Sequence, residues 1–144
     1  MTLIVRSIAR WMIPSIFLLG VYVVLHGHLT PGGGFAGGVL VAGSFVLSIL
    51  AFGVKKNKVE TKKEWSSLTE SIGIFLFWFL AFLGILWGSY FFLNVLTKMS
   101  PGARFHLFSA GSIPLYNLAI GIEVASALFT MVFVLMVFRE KERP

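Results

Sequence analysis

Cysteine is absent from this 144-residue sequence, and acidic side chains are scarce. Without thiols the chain can form no disulfide and can offer no thiolate ligand to zinc or to an iron–sulfur cluster. Only six Asp and Glu accompany twelve Lys and Arg, and no charged residue occurs between Trp11 and Val54. Hydrophobic residues make up 57% of the chain and charged residues 12%, which is too little polar surface to cover a water-soluble globule. The sequence therefore predicts a membrane protein with no cofactor of its own.

Four apolar runs are long enough to cross a bilayer as helices. They cover residues 8–25, 34–52, 71–96 and 113–138. The runs are continuous and lack the alternation of apolar and polar residues that is typical of barrel strands. We therefore expect an all-α membrane protein with four transmembrane helices in a single domain, residues 1–144. The N-terminus has the charge pattern of a signal peptide, but no small-residue cleavage site follows, so we expect it to stay as the first span.

The distribution of basic residues predicts the orientation in the membrane. Of the twelve Lys and Arg, only Lys98 and Arg104 lie away from the termini and from the segment between the second and third runs. Basic residues concentrate on the cytoplasmic side of membrane proteins. Both termini and residues 54–65 should therefore be cytoplasmic, whereas the turn near Pro31 and residues 97–112 should face outward. Topology thus explains the basic excess, which does not indicate nucleic acid, and we expect a multi-pass protein of the cell membrane.

A glycine-rich segment at residues 26–38 interrupts the first uncharged stretch. Pro31 and Gly32 suit the central positions of a tight turn, because proline fixes φ and glycine accepts a positive φ. Gly34 and Gly38 leave one side of the next helix bare, so that another helix can approach closely. The predicted turn and packing motif comprises Pro31, Gly32, Gly33, Gly34, Phe35, Gly37 and Gly38.

The same segment carries Gly32, Gly34 and Gly37 in the G-x-G-x-x-G spacing of a dinucleotide-binding loop. That loop follows a β-strand, opens a βαβ unit and precedes an acidic residue at a fixed distance. Here apolar runs of membrane length flank the glycines instead. We therefore expect no nucleotide binding.

Two local signals concern the third span. Ser67 and Glu70 match the S-x-x-E capping box, which predicts that the helix begins there. Gly84 and Gly88 form a G-x-x-x-G pattern, which favours close packing against another helix.

Glu123 is the one carboxylate that the sequence places deep within a predicted span. It lies about 15 Å along the helix from the start of the fourth run. A carboxylate at this depth faces other helices rather than lipid, and it is by default a candidate for function. Tyr116, Ser126 and Thr130 share its helix face. Glu123 is therefore either part of an ion or proton pathway, or a protonated packing residue held by hydrogen bonds.

All three histidines fall in predicted outer segments, His26 and His28 at the glycine turn and His106 in the later loop. No carboxylate accompanies them there, and no partner that would orient the rings is apparent, so we predict no metal site. His26 and His28 either cap the end of the first helix, where a positive group is favoured, or take part in a proton relay at the outer side.

Residues 26–38 read His-x-His-x-x-Pro-Gly-Gly-Gly-Phe-x-Gly-Gly, and residues 111–123 lead into the fourth span. Together with the size and order of the spans, they resemble the MnhB-type (MrpB-type) membrane subunits of the multisubunit Mrp-type sodium/proton antiporters. Related subunits occur in archaeal membrane-bound hydrogenases and sulfur-metabolising complexes, in which an antiporter-like module is joined to a redox module. The resemblance implies a membrane subunit that is not an enzyme by itself and that works with other antiporter subunits in exchanging Na⁺ for H⁺.

Two other classes of protein stay open. A small drug exporter also has four spans and a membrane carboxylate, but that carboxylate is expected in the first span, where this chain has none. An assembly subunit, whose glycine faces hold neighbouring subunits together without conducting ions, fits the same residues. Substitution of Glu123 would distinguish an assembly subunit from an ion-conducting one.

Overall fold

The structure is a computed structural model that describes residues 2–29, 31–53, 59–88, 90–94, 96–97 and 110–141. Four long helices run over Leu3–Leu25 (α1), Gly33–Phe52 (α2), Val59–Gly88 (α3) and Ile113–Lys141 (α4). Each contains a stretch that is long and apolar enough to cross a membrane. The protein is therefore a helical multi-pass membrane protein, and the predicted four spans are confirmed.

The helices bury small residues and expose large apolar ones. Ala42, Ala51, Ala81 and Ala119 are at most 2% exposed, whereas many leucine, phenylalanine and tryptophan side chains face outward. Phe133 is the one large side chain among the fully buried residues of the described segments. This distribution is typical of a membrane interior, because lipid solvates large apolar side chains and close helix contacts depend on small ones.

The order of packing differs from the order along the chain. α1 packs on α2, α2 packs on α4, and α4 packs on α3, while α1 also meets α4 over a shorter length. Within the described ranges, α3 packs against α4 alone. A cleft of about 920 Å³ consequently separates α3 from the α1–α2 pair, and its lining includes Phe17, Phe45, Trp65 and Phe129.

The capping-box prediction for the start of α3 is wrong. The helix begins at Val59, so Ser67 lies in its interior, where its carbonyl oxygen accepts a hydrogen bond of 3.0 Å from Ser71 Oγ. Lysine and glutamate are good helix formers, which lets the helix extend through the charged residues before Trp65. Glu70 is therefore a residue of the helix interior and not of its first turn.

The end of α3 also differs from the predicted span, which reached residue 96. The helix ends at Gly88, and Phe92 then adopts a positive φ of 62° as the chain folds back. The backbone N–H of Phe92 donates to the Ala81 carbonyl oxygen at 3.4 Å. The segment after α3 thus packs against the helix that it has just left.

Asn94 connects this returning segment to the start of α4. Its Nδ2 donates to the Ala110 carbonyl oxygen at 2.8 Å. Its Oδ1 accepts from the Ser112 backbone N–H at 3.0 Å and from Ser112 Oγ at 3.1 Å. Because α4 begins directly afterwards at Ile113, this amide holds the first turn of α4 beside the end of α3.

Candidate functional site

The side of α2 that carries Gly34 and Gly38 packs directly against α4. A Cβ on Gly34 would overlap the carbonyl oxygen of Asn117. A Cβ on Gly38 would lie 2.8 Å from the Gly121 carbonyl oxygen and 2.9 Å from Val124 Cβ. Real Cβ atoms do not approach other atoms so closely, so this contact needs glycine at both positions. The helix that fits the glycine face therefore belongs to the chain itself.

Other residues of the glycine segment have different roles. Gly37 faces α1, where an added Cβ would overlap the Val24 side chain. Gly32 has a φ of 130° and Gly33 a φ of 62°, conformations that favour glycine over other residues. Pro31 is exposed in the turn, and Phe35 points outward with 63% of its surface exposed.

His26 ends α1 in a capping geometry. Its backbone N–H donates to the Tyr22 carbonyl oxygen at 3.0 Å, and its Nδ1 lies 3.1 Å from the same oxygen, which can only accept. The imidazole ring stacks on the Tyr22 ring with centroids 4.2 Å apart. His26 therefore occupies the C-terminus of α1, where both its backbone N–H and its ring lie against the Tyr22 carbonyl oxygen.

His28 and Asn117 present buried polar groups at the same end of the protein. Both ring nitrogens of His28 and Nδ2 of Asn117 are buried without a hydrogen-bond partner among the described residues. Asn117 Nδ2 lies 3.0 Å from the position of a Cβ on Gly27, the residue before His28. Sequence reasoning missed Asn117, since a single amide in an apolar helix start carries no pattern.

No metal site is found among these residues. The described ranges contain no group of three or more His, Asp or Glu side chains that could hold a metal ion. His106 lies outside the described residues.

Glu123 lies at a close contact between α3 and α4. A Cβ on Gly73 of α3 would be 2.9 Å from both the Cβ and the backbone nitrogen of Glu123. Glu123 is partly buried, and its carboxylate makes no hydrogen bond or ion pair within the described segments. The sequence did not reveal Gly73, because it has no second glycine four residues away to complete a packing pattern.

A cluster of hydroxyl groups lies on one side of Glu123 at the same interface. We call Ser66, Ser126 and Thr130 the hydroxyl cluster, in which Ser126 takes part through its carbonyl oxygen while its hydroxyl donates to the Ile122 carbonyl oxygen at 2.7 Å. Ser66 Oγ lies 2.6 Å from Thr130 Oγ1 and 3.2 Å from the Ser126 carbonyl oxygen, and Thr130 Oγ1 donates to that carbonyl at 2.8 Å. Ser126 and Thr130 were predicted to share the face of Glu123, whereas Ser66 was missed because α3 was expected to begin after it.

An aromatic cluster of Phe77, Phe92 and Tyr116 lies on the other side of Glu123. Its ring centroids are 5.4 to 5.6 Å apart. Tyr116 precedes Glu123 by two helical turns, whereas the hydroxyl cluster follows it. The polar side of the α3–α4 interface therefore continues from Glu123 toward the end of the protein where α3 begins and α4 ends.

Gly84 packs against the chain's own returning segment. A Cβ there would lie 2.7 Å from the Leu93 backbone nitrogen and 2.9 Å from the Tyr90 carbonyl oxygen. Gly88 is the last residue of α3. At Gly84 the predicted G-x-x-x-G face thus packs against the segment that follows α3 and not against another helix.

Two relatives share part of this sequence. The chain is 34% identical over 138 residues to the Methanocaldococcus jannaschii protein MJ1307, a match that covers 93% of this chain and 52% of that protein. It is 36% identical over 53 residues to the putative antiporter subunit mnhB2 of Staphylococcus aureus strain Newman, covering 37% of this chain and 38% of that protein. The chain therefore spans about half the length of MJ1307, and its match to mnhB2 is shorter still.

A chain of a solved complex has a similar fold. This complex is the membrane-bound sulfane sulfur reductase, an archaeal respiratory membrane complex. The TM-score is 0.65 at 30% sequence identity, over 93% of this chain and 57% of that one. Residues 4–130 match a family described as "Domain related to MnhB subunit of Na+/H+ antiporter". The resemblance seen in residues 26–38 is thus confirmed, and the chain belongs to the family of domains related to the MnhB subunit of Na⁺/H⁺ antiporters.

Proposed function

We propose that this chain is a membrane subunit of an ion-translocating module that exchanges a monovalent cation, Na⁺, for H⁺, and that Glu123 lies in the ion pathway. The observation that carries the proposal is the position of Glu123 within the apolar span of α4, against Gly73 and between the hydroxyl and aromatic clusters. The chain works with other antiporter-type membrane subunits in the bilayer, needs no cofactor of its own and is not an enzyme by itself.

The chemistry of an isolated carboxylate supports this role. A carboxylate inside a membrane is costly unless a cation, a proton or water accompanies it. The described residues provide Glu123 with no positive partner. A carboxylate that must be neutralised from outside can bind either a proton or a small cation, and alternation between the two is the basis of antiport.

The packing of the glycine faces weakens the case for the alternative role, that of a purely structural assembly subunit. That role depended on glycine faces that hold neighbouring subunits together. Gly34 and Gly38 instead contact α4, and Gly84 contacts the segment after α3. In the described part of the chain these three glycines are packed against the chain itself and are not open to a partner subunit.

Two kinds of parent complex fit the proposal, an independent antiporter and a redox-driven complex. The likeness to a chain of the sulfane sulfur reductase favours the redox-driven one. Purification of the tagged chain in mild detergent distinguishes them. We expect antiporter-type membrane subunits to co-purify in either case, and redox subunits only in the second. Recovery of the chain without any other membrane subunit would contradict the proposal.

The proposed orientation places both termini and residues 54–65 in the cytoplasm. The chain has no cysteine, so single cysteines give an unambiguous label. We expect an impermeant thiol reagent to label Ala103→Cys in intact cells, and Lys58→Cys after permeabilisation alone. Labelling of position 58 but not of position 103 in intact cells would show that the orientation is the opposite of the proposed one.

A further inference from the structure

A second carboxylate, Glu70, lies at the α3–α4 interface. The sequence placed it in a capping box at the membrane surface, but α3 begins at Val59, so Glu70 is about three turns inside the helix. It is partly buried. With Ala127 and Thr130 of α4 it lines a shallow cavity of about 410 Å³. Glu70 therefore faces the neighbouring helix and an open space beside it.

Two distances along the helix axes place Glu70 within the apolar spans of the α3–α4 pair. The apolar span within α3 begins at Glu64, and Glu70 lies about 9 Å further along the helix axis. Its neighbour Thr130 lies about 12 Å before Phe138, where the apolar span of α4 ends. Because the hydrocarbon core is about 30 Å thick, both values put Glu70 well within the spans. A carboxylate at such a position is a candidate for function.

Glu70 and Glu123 belong to the same interface. Gly73, one turn after Glu70 and on the same side of α3, contacts Glu123. Ala127, which borders the cavity beside Glu70, is one turn after Glu123 on α4. The two carboxylates thus lie on facing helices, offset by about one turn along the helix axes.

The hydroxyl cluster accompanies Glu70. Ser66 is one turn before Glu70 on α3, and Thr130 borders the same cavity as Glu70. Glu70, like Glu123, makes no hydrogen bond or ion pair within the described segments. We call these two carboxylates and the three residues of the hydroxyl cluster the polar seam.

We propose that Glu70 is a second proton-carrying residue of this subunit, which passes protons along the polar seam between Glu123 and the end of the protein where α3 begins. Glu123 lies about 22 Å from Phe138 along α4, and Glu70 lies about one turn nearer to that end of the protein. In each transfer a protonated Glu70 loses its proton and an ionised Glu123 gains it, or the reverse, through water between them, while the hydroxyl groups of Ser66 and Thr130 lie on the far side of Glu70, toward the start of α3. No other reactant is needed.

The inference rests on the proposed function, and Glu70→Gln tests it. Glutamine keeps the volume and the hydrogen-bonding capacity but carries no exchangeable acidic proton. We expect the complex to assemble normally and its transport rate to fall by about 100-fold, the scale of a lost proton-transfer group. Glu70→Asp should keep part of the rate. Glu64→Gln is the matched control, because Glu64 lies on the same helix at the start of the span and is exposed, and it should transport as wild type.

Combining variants separates the inference from the function on which it rests. If both carboxylates act in one route, Glu70→Gln and Glu123→Gln together should lose no more transport than Glu123→Gln alone. Normal transport by Glu70→Gln beside an inactive Glu123→Gln would overturn the inference and leave the proposed function standing. Normal transport by Glu123→Gln would overturn the proposed function.

Thr130→Val provides a test that changes no charge. It removes the hydroxyl group beside Glu70 but keeps the shape of the side chain, so the complex should assemble with a reduced transport rate. If the complex with Glu70→Gln does not assemble, the transport rates of Thr130→Val and Glu70→Asp test whether Glu70 carries protons. Wild-type transport by both of these variants would then overturn the role of Glu70.

Discussion

Glu123→Gln should leave the complex fully assembled and abolish the collapse of a pH gradient that Na⁺ addition causes in inverted membrane vesicles. Glutamine matches glutamate in volume and still packs against Gly73, where the close approach involves the backbone and Cβ of residue 123 rather than its carboxylate. What is lost is the negative charge that binds a cation or a proton. If the parent complex is redox-driven, the quantity to measure is ion pumping during electron transfer, and Glu123→Gln should abolish it.

Further substitutions at the same position define the role of the charge. Glu123→Asp should retain part of the transport, because the carboxylate is kept at a shorter reach, and Glu123→Leu should retain none. Glu140→Gln serves as the control on the same helix, since residue 140 lies beyond the apolar span that ends at Phe138. Wild-type transport by an assembled Glu123→Gln complex would show that Glu123 is a packing residue.

Gly34→Ala should destabilise the folded chain, whereas Gly43→Ala on the same helix should not. A Cβ on Gly34 would overlap the Asn117 backbone carbonyl, and a backbone atom cannot move aside without separating α2 from α4. Overpacking of this kind typically costs about 1 to 3 kcal/mol. At Gly43 an added Cβ meets nothing within 4 Å, so alanine there adds helix propensity at no steric cost.

The two glycine variants can be compared by heating detergent-solubilised protein and measuring how much remains monodisperse in size-exclusion chromatography. The midpoint is the temperature at which half of the protein is no longer monodisperse. We expect this temperature to fall by several degrees for Gly34→Ala and to stay level or rise for Gly43→Ala. Equal midpoints would mean that the contact between Gly34 and Asn117 contributes nothing to stability.

The sequence predicted what depends on long, uninterrupted patterns. The four spans could be predicted because apolar runs of this length are typical of transmembrane helices. Glu123 could be singled out because it is a lone charge deep in one of these runs. The bare side of α2 follows from the spacing of Gly34 and Gly38. Which helix it meets could not be predicted, since a glycine face fits any close helix and the pairing with α4 is a property of the whole fold.

The failures come from a local motif and from contacts between distant residues. Ser67 and Glu70 satisfy the capping-box pattern, but the pattern cannot tell whether the helix already began at Val59. Because of that single boundary, the sequence did not indicate that Ser66 and Glu70 lie in the interior of α3. Gly73 was missed for another reason, because its importance lies in the residue that faces it on α4.

The packing of α3 against α4 alone has a consequence for biosynthesis. α1 and α2 are consecutive and pack on each other, so this hairpin can form as soon as both helices have left the ribosome and entered the bilayer. α3 enters next, but the helix on which it packs has not yet been made. Until α4 arrives, the side of α3 that carries Ser66 lacks its packing partner. A chain that ends between α3 and α4 would thus leave this side of α3 without the helix that covers it.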